Sequence, residues 1–125
     1  MVIHRVEENK KRHLDLLLIG DEQENMIDVY LEHGDMYVLE DGGAAAVCVV
    51  TDEGGGLLEL KNIAVREDCR RRGHARAMID FIAGEYKHSH NYLQAGTGET
   101  PSMLAFYEGC GFVPSHRIEN FFTDN

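Results

Sequence analysis

The sequence predicts one α/β (α+β) domain over residues 1–125, a central sheet flanked by helices. Three observations predict it. Strand-like and helix-like patterns alternate along the chain. Asp41-Gly42-Gly43 joins two apolar runs in the manner of a tight hairpin. The strand-like run Leu57–Val65 then passes through Arg70-Arg71-Arg72-Gly73 into an amphipathic helical pattern.

Val2–Val6 reads as a short first strand. Lys10–Ile19 carries a leucine-rich helical face, and Glu22–Leu31 forms a second helix. Asp35–Glu40 and Ala44–Thr51 are the two hairpin strands. Gly54-Gly55-Gly56 makes the next turn, before the strand Leu57–Val65. From Ala75, the residues Met78, Ile79, Ile82 and Ala83 recur on one helical face, so a helix is predicted from Gly73 to about Tyr86. Tyr92–Ala95 is a short strand. Ser102–Glu108 begins a helix that stops at Gly109 or Gly111, with Pro101 suited to its first turn. Phe112–Phe122 reads as a final strand region.

Composition narrows the class. A chain of 125 residues, 43% hydrophobic and with two prolines, is large enough to bury a core. No apolar stretch is long enough to span a membrane, and MVIHRVEENKK has no signal-peptide pattern. Cys48, Cys69 and Cys110 are odd in number and widely spaced, which reads as free thiols in a reducing compartment, the cytoplasm. His88-Ser89-His90 reads as an exposed turn, and no metal is expected. The net charge of −10 argues against nucleic-acid partners. It suits a cationic substrate and serves solubility equally well.

The strand-to-helix junction is the most informative segment. Gly73 opens backbone angles closed to other residues and lets a ligand approach closely. The first turn of the following helix has free N–H donors and the positive end of the dipole, which attract anions. Arg70, Arg71, Arg72 and Arg76 add positive charge in a form suited to phosphate, although a solvated basic loop has the same composition. Two nucleotide motifs are excluded: no Walker A run exists, and Gly73-His74-Ala75-Arg76 does not supply a Rossmann fingerprint.

Arg70-Arg71-Arg72-Gly73-His74-Ala75 resembles the Q/R-x-x-G-x-G/A signature of the GNAT superfamily of acyl-CoA N-acyltransferases. Leu60–Val65 is similar to that family's fourth strand. Ala105-Phe106-Tyr107-Glu108-Gly109-Cys110-Gly111-Phe112 resembles its late A-x-x-F/L-Y-x-x-x-G-F segment. The resemblance implies a mixed sheet whose fourth and fifth strands splay apart. It implies acetyl transfer from acetyl-CoA, as co-substrate, to a primary amine of a small molecule or protein, directly and through a tetrahedral intermediate. An acyl-CoA-binding sensor without catalysis is the alternative.

The resemblance also assigns residues. Backbone N–H groups of Arg71, Arg72, Gly73, His74, Ala75 and Arg76, with Arg70, would bind the pyrophosphate. The pantetheine arm would lie along Ile63, Ala64 and Val65 like an added strand. An N–H near Val65 is then the expected oxyanion donor. Tyr107 is the candidate general acid for the leaving thiolate. Glu59 is the candidate general base, expected by period-two alternation to share a face with Lys61, Ile63 and Val65; as a plain surface residue it would pair with Lys61. Cys110 as a covalent nucleophile is the weaker route, since no histidine is placed to activate it.

The chain departs from its relatives in two places. Many carry an asparagine that contacts the coenzyme at the start of the last helix, where Thr100 or Ser102 stands here. Relatives usually have one more strand after Phe121 and Phe122, so either the sequence is a fragment or another copy completes the sheet as a homodimer. The acceptor is set in this family by the first two helices and the last strands. Asp21, Glu22, Glu24 and Asp28 are positioned to attract a polyamine, aminoglycoside or lysine side chain, or form only a solvated face.

Overall fold

A computed structural model describes residues 1–95, 101–110 and 117–118, without the side chains of 101–104 and 117–118. The elements run β1 (Val2–Val6), α1 (Leu14–Gly20), α2 (Glu24–Leu31), β2 (Asp35–Glu40), β3 (Ala44–Gly54), β4 (Leu57–Val65), α3 (His74–Tyr86), β5 (Tyr92–Ala95), α4 (Pro101–Gly109) and β6 (Arg117–Ile118). The strands form one sheet in the order β1-β2-β3-β4-β5-β6. Neighbours are antiparallel except β4 and β5, which are parallel.

The expected mixed sheet flanked by helices is thus observed. One face packs on α3 and α4 through Leu39, Cys48, Leu60, Met78, Ile79 and Tyr107. The other packs on α1 and α2 through Leu17, Ile27, Leu31, Val38 and Val49. Both faces of β2 and β3 are covered, which is why Met36–Leu39 and Ala45–Val50 are apolar without a break.

Among the described residues, β5 pairs with β4 at Leu57–Leu60, while β4 continues to Val65. Of the predicted Phe112–Phe122 strand, Arg117–Ile118 is described, paired with β5 at Gln94 and Leu93. Phe121, Phe122 and any later strand lie outside the described residues.

Two helix boundaries differ from the sequence reading. Lys10–His13 forms a 3-10 turn, and the α-helix starts only at Leu14. The cause is tertiary: the Lys10 ammonium donates to the carbonyls of Leu31 at 2.7 Å and Gly34 at 2.8 Å, capping the C-terminus of α2. α2 begins at Glu24 rather than Glu22, because an Asp21 carboxylate oxygen accepts the Gln23 N–H at 3.3 Å and holds a turn there.

A third difference bears on the site. Val49 pairs with Asn62 but Val50 pairs with Leu60, so Lys61 is an extra residue, a β-bulge, in β4. The bulge breaks the alternation. Leu58 and Leu60 lie in the α3-side core, and after Lys61 so do Ile63 and Val65. Glu59, opposite Thr51, lies on the other face, as do Asn62 and Ala64. The expectation that Glu59 shares a face with Ile63 and Val65 is therefore overturned. The apolar positions themselves carry the signal, slipping from even to odd numbers across Lys61-Asn62.

Candidate active site

β4 and the loop after it build the site. Arg66 N–H donates to the Ala45 carbonyl at 2.8 Å, which fixes the phase of the β3–β4 ladder. Ala46 and Val65 are then a non-hydrogen-bonded pair, so the Val65 N–H points away from β3. Ile63, opposite Cys48, has the same orientation. The edge of β4 away from β3 therefore carries outward amide groups, as an added-strand mode of binding requires.

The loop is folded by its own arginines. Arg70 Nε donates to the Val65 carbonyl at 3.2 Å, and Arg66 braces the turn at Glu67–Cys69 by donating to Asp68 at 2.7 Å and to Cys69 Sγ at 3.2 Å. Arg76 donates to the Gly109 carbonyl at 3.0 Å and so holds the end of α4. Arg72 approaches Asp41 at 3.9 Å, a loose, exposed pair. These guanidinium groups serve the scaffold. The backbone also offers donors to an anion: Arg71 and Gly73 both take positive φ, +67° and +80°, and no side chain of the described residues caps the first turn of α3. A Cβ on Gly73 would meet nothing within 4 Å among the described residues, so the residue is constrained by its conformation.

One cavity of about 750 Å³ collects most of the predicted residues. Ile63, Ala64 and Val65 line it, as do Arg70, Arg71, Gly73, His74, Ala75 and Arg76. Tyr107 lines it from α4 while 1% exposed. Arg72 and Glu59 are not among its described lining. Glu59 instead pairs with Lys61 at 3.2 Å, as its surface reading anticipated. Thr100 and the side chain of Ser102 lie outside the described residues. His74 is buried against the β2–β3 turn, with Nε2 3.1 Å from Asp41 but off the line of a hydrogen bond. Burial pushes the Cys110 thiol up, away from a reactive thiolate.

The sequence reading missed the α1 wall of this cavity, Ile19 and Gly20. It also missed Asn62, buried at 3% exposure beside them. A lone asparagine inside the run Leu57–Val65 was the available signal. Of the four acidic residues near α2, Glu24 and Asp28 are held by Lys11 at 2.8 and 2.6 Å, and Asp21 accepts from Tyr30.

The acetyltransferase (GNAT) domain family matches residues 32–114. The chain belongs to the GNAT acetyltransferase family. Among its GNAT relatives is YvbK of Bacillus subtilis strain 168, an uncharacterized N-acetyltransferase. It is 32% identical over 109 residues, 85% of this chain and 70% of that protein. A GNAT acetyltransferase from Elizabethkingia anophelis, solved with acetyl-CoA bound, superposes with a TM-score of 0.83 at 27% identity, covering 90% of this chain and 75% of that one. A Bacillus subtilis acetyltransferase solved with CoA gives 0.80 at 32% identity, covering 89% and 75%. This GNAT chain is an acyltransferase.

Proposed function

We propose that the chain moves the acetyl group of acetyl-CoA directly to a primary amine. Acetyl-CoA is its co-substrate. The observation that carries the proposal is the single cavity lined jointly by the α3 loop, Ile63–Val65 and Tyr107. Its fit to the coenzyme rests on the uncapped α3 N-terminus, the left-handed Arg71 and Gly73, and the outward Val65 N–H.

In this proposal the N–H groups of residues 71–76 hold the diphosphate, and the coenzyme supplies the activated acetyl group. Ile63 and Val65 orient the pantetheine arm through the main chain. The Val65 N–H donates to the oxygen on which negative charge develops. Tyr107 protonates the leaving thiolate. Glu59, on the opposite face and paired with Lys61, enters only through water; Glu59→Gln with an unchanged pH–rate profile removes it. The acceptor carries a cationic amine of the polyamine, aminoglycoside or lysine type, in keeping with the net charge of −10. A reducing compartment, the cytoplasm, is part of this reading, in keeping with Cys48, Cys69 and Cys110 as free thiols, and so is a homodimer.

The test is acetyl-CoA-dependent thermal stabilisation followed by thiol release with spermidine, kanamycin and a lysine peptide. Tyr107→Phe is expected to lose turnover with coenzyme affinity and fold unchanged. Full activity of that variant sinks the acid role, and stabilisation without thiol release sinks the transfer.

A further inference from the structure

Beneath the α1 wall of the cleft lies a closed ring of hydrogen bonds that none of the chemistry above uses. Asn62 Nδ2, on β4, donates to the Leu17 carbonyl of α1 at 2.9 Å and to the Tyr30 hydroxyl of α2 at 3.1 Å. Tyr30 donates in turn to an Asp21 carboxylate oxygen at 3.3 Å. The Asp21 N–H closes the circuit onto the Leu17 carbonyl at 3.0 Å. Burial pushes the Tyr30 hydroxyl up to about 12, so it remains a donor at working pH.

The ring encloses the turn that carries Ile19 and Gly20 into the cavity. Contact there is close. A Cβ on Gly20 would fall 2.1 Å from Asn62 Oδ1 and 3.1 Å from the Ile63 carbonyl. The end of α1 is therefore seated directly on β4, beside the strand edge proposed to hold the thioester. Asn62 Oδ1 itself is fully buried and has no hydrogen-bond partner among the described residues. An orphaned buried oxygen is unfavourable, and an apolar residue would fill a core position without it. A position kept polar under that penalty points to a geometric duty.

We propose that Asn62, Tyr30 and Asp21 act as a positioning relay, fixing the α1 wall of the cleft so that the amine meets the thioester at a set distance. The α3 loop and α4 form the coenzyme side of the same cavity, which leaves the α1 wall to the acceptor. This rests on the transferase reading above. The relay's hydrogen bonds join β4, α1 and α2 and reach neither the α3 loop nor α4, so it governs acceptor KM and leaves coenzyme affinity alone.

The test uses the full chain and whichever panel amine it turns over fastest. Tyr30→Phe removes one hydroxyl and keeps the ring in place. It should raise the amine KM roughly fivefold, the ordinary worth of one hydrogen bond, with acetyl-CoA Kd unchanged. Asn62→Leu should do the same or more. The double variant should be no worse than the poorer single one, because a ring already opened cannot be opened twice. A melting temperature that falls with no change in amine KM overturns the relay, as does equal weakening of amine and acetyl-CoA. Multiplicative effects in the double variant also overturn it. A wild-type chain that releases no thiol with any amine removes the transferase reading and this inference together.

Discussion

Gly73→Ala separates two reasons for a glycine at the coenzyme loop. Gly73 has φ of +80°, and an added Cβ would meet no atom of the described residues within 4 Å. The methyl group is therefore tolerated sterically in the free protein, and the substitution is charged only with left-handed strain, about 1–2 kcal/mol. With an unfolding entropy near 2.1 cal/mol/K per residue, 125 residues give about 0.26 kcal/mol/K, so the melting temperature should fall by about 4–8 °C. That strain is present with and without coenzyme and cancels from the binding equilibrium. Any loss of acetyl-CoA affinity then reports collision between the new methyl and the ligand. Crowding of this kind costs about 1–3 kcal/mol, so Kd should rise roughly fivefold to a hundredfold. Scanning fluorimetry gives the first quantity and calorimetric titration the second. A lowered melting temperature with unchanged Kd refutes close approach of the diphosphate to Gly73, and an unchanged melting temperature refutes the strain argument.

Gly20→Ala meets the opposite situation, with Asn62 Oδ1 2.1 Å from the new Cβ; a destabilisation of about 1–3 kcal/mol in urea titration is expected. The Cys48 thiol is fully buried and pushed up to about 12, whereas in the unfolded chain it ionises near 9.0. Between those values the unfolded state binds fewer protons, so stability falls as pH rises, and Cys48→Ala should flatten that slope. Arg76→Ala removes the bond to the Gly109 carbonyl at 3.0 Å and should cost about 0.5–1.5 kcal/mol, read by urea titration.

Much of the fold was legible because its signals are local. Val2–Val6, Asp35–Glu40 and Tyr92–Ala95 stand where apolar patterning and neighbouring turns placed them. The helix after Gly73 runs to Tyr86 as its periodicity predicts. What escaped the sequence depends on distant partners. Lys10 shortens its helix by reaching a carbonyl 21 residues away, and Asn62 finds its acceptor 45 residues away. Arg70 and Arg76 each bond a carbonyl of their own chain, contacts that no local pattern announces. Residue type announces a guanidinium, but only the fold decides what it reaches.

The bulge at Lys61 gives one strand two reading frames. Before it, even-numbered side chains enter the layer under α3; after it, odd-numbered ones do. Deleting Lys61 would merge the frames without moving a side chain across the sheet: Leu60 and Ile63 would still face α3, and Asn62 would still face α1. What would be lost is the local bend and extra twist that a bulge gives its strand. A β4 grafted from another protein could therefore omit the extra residue and keep both faces, but it would follow a different path along the cleft.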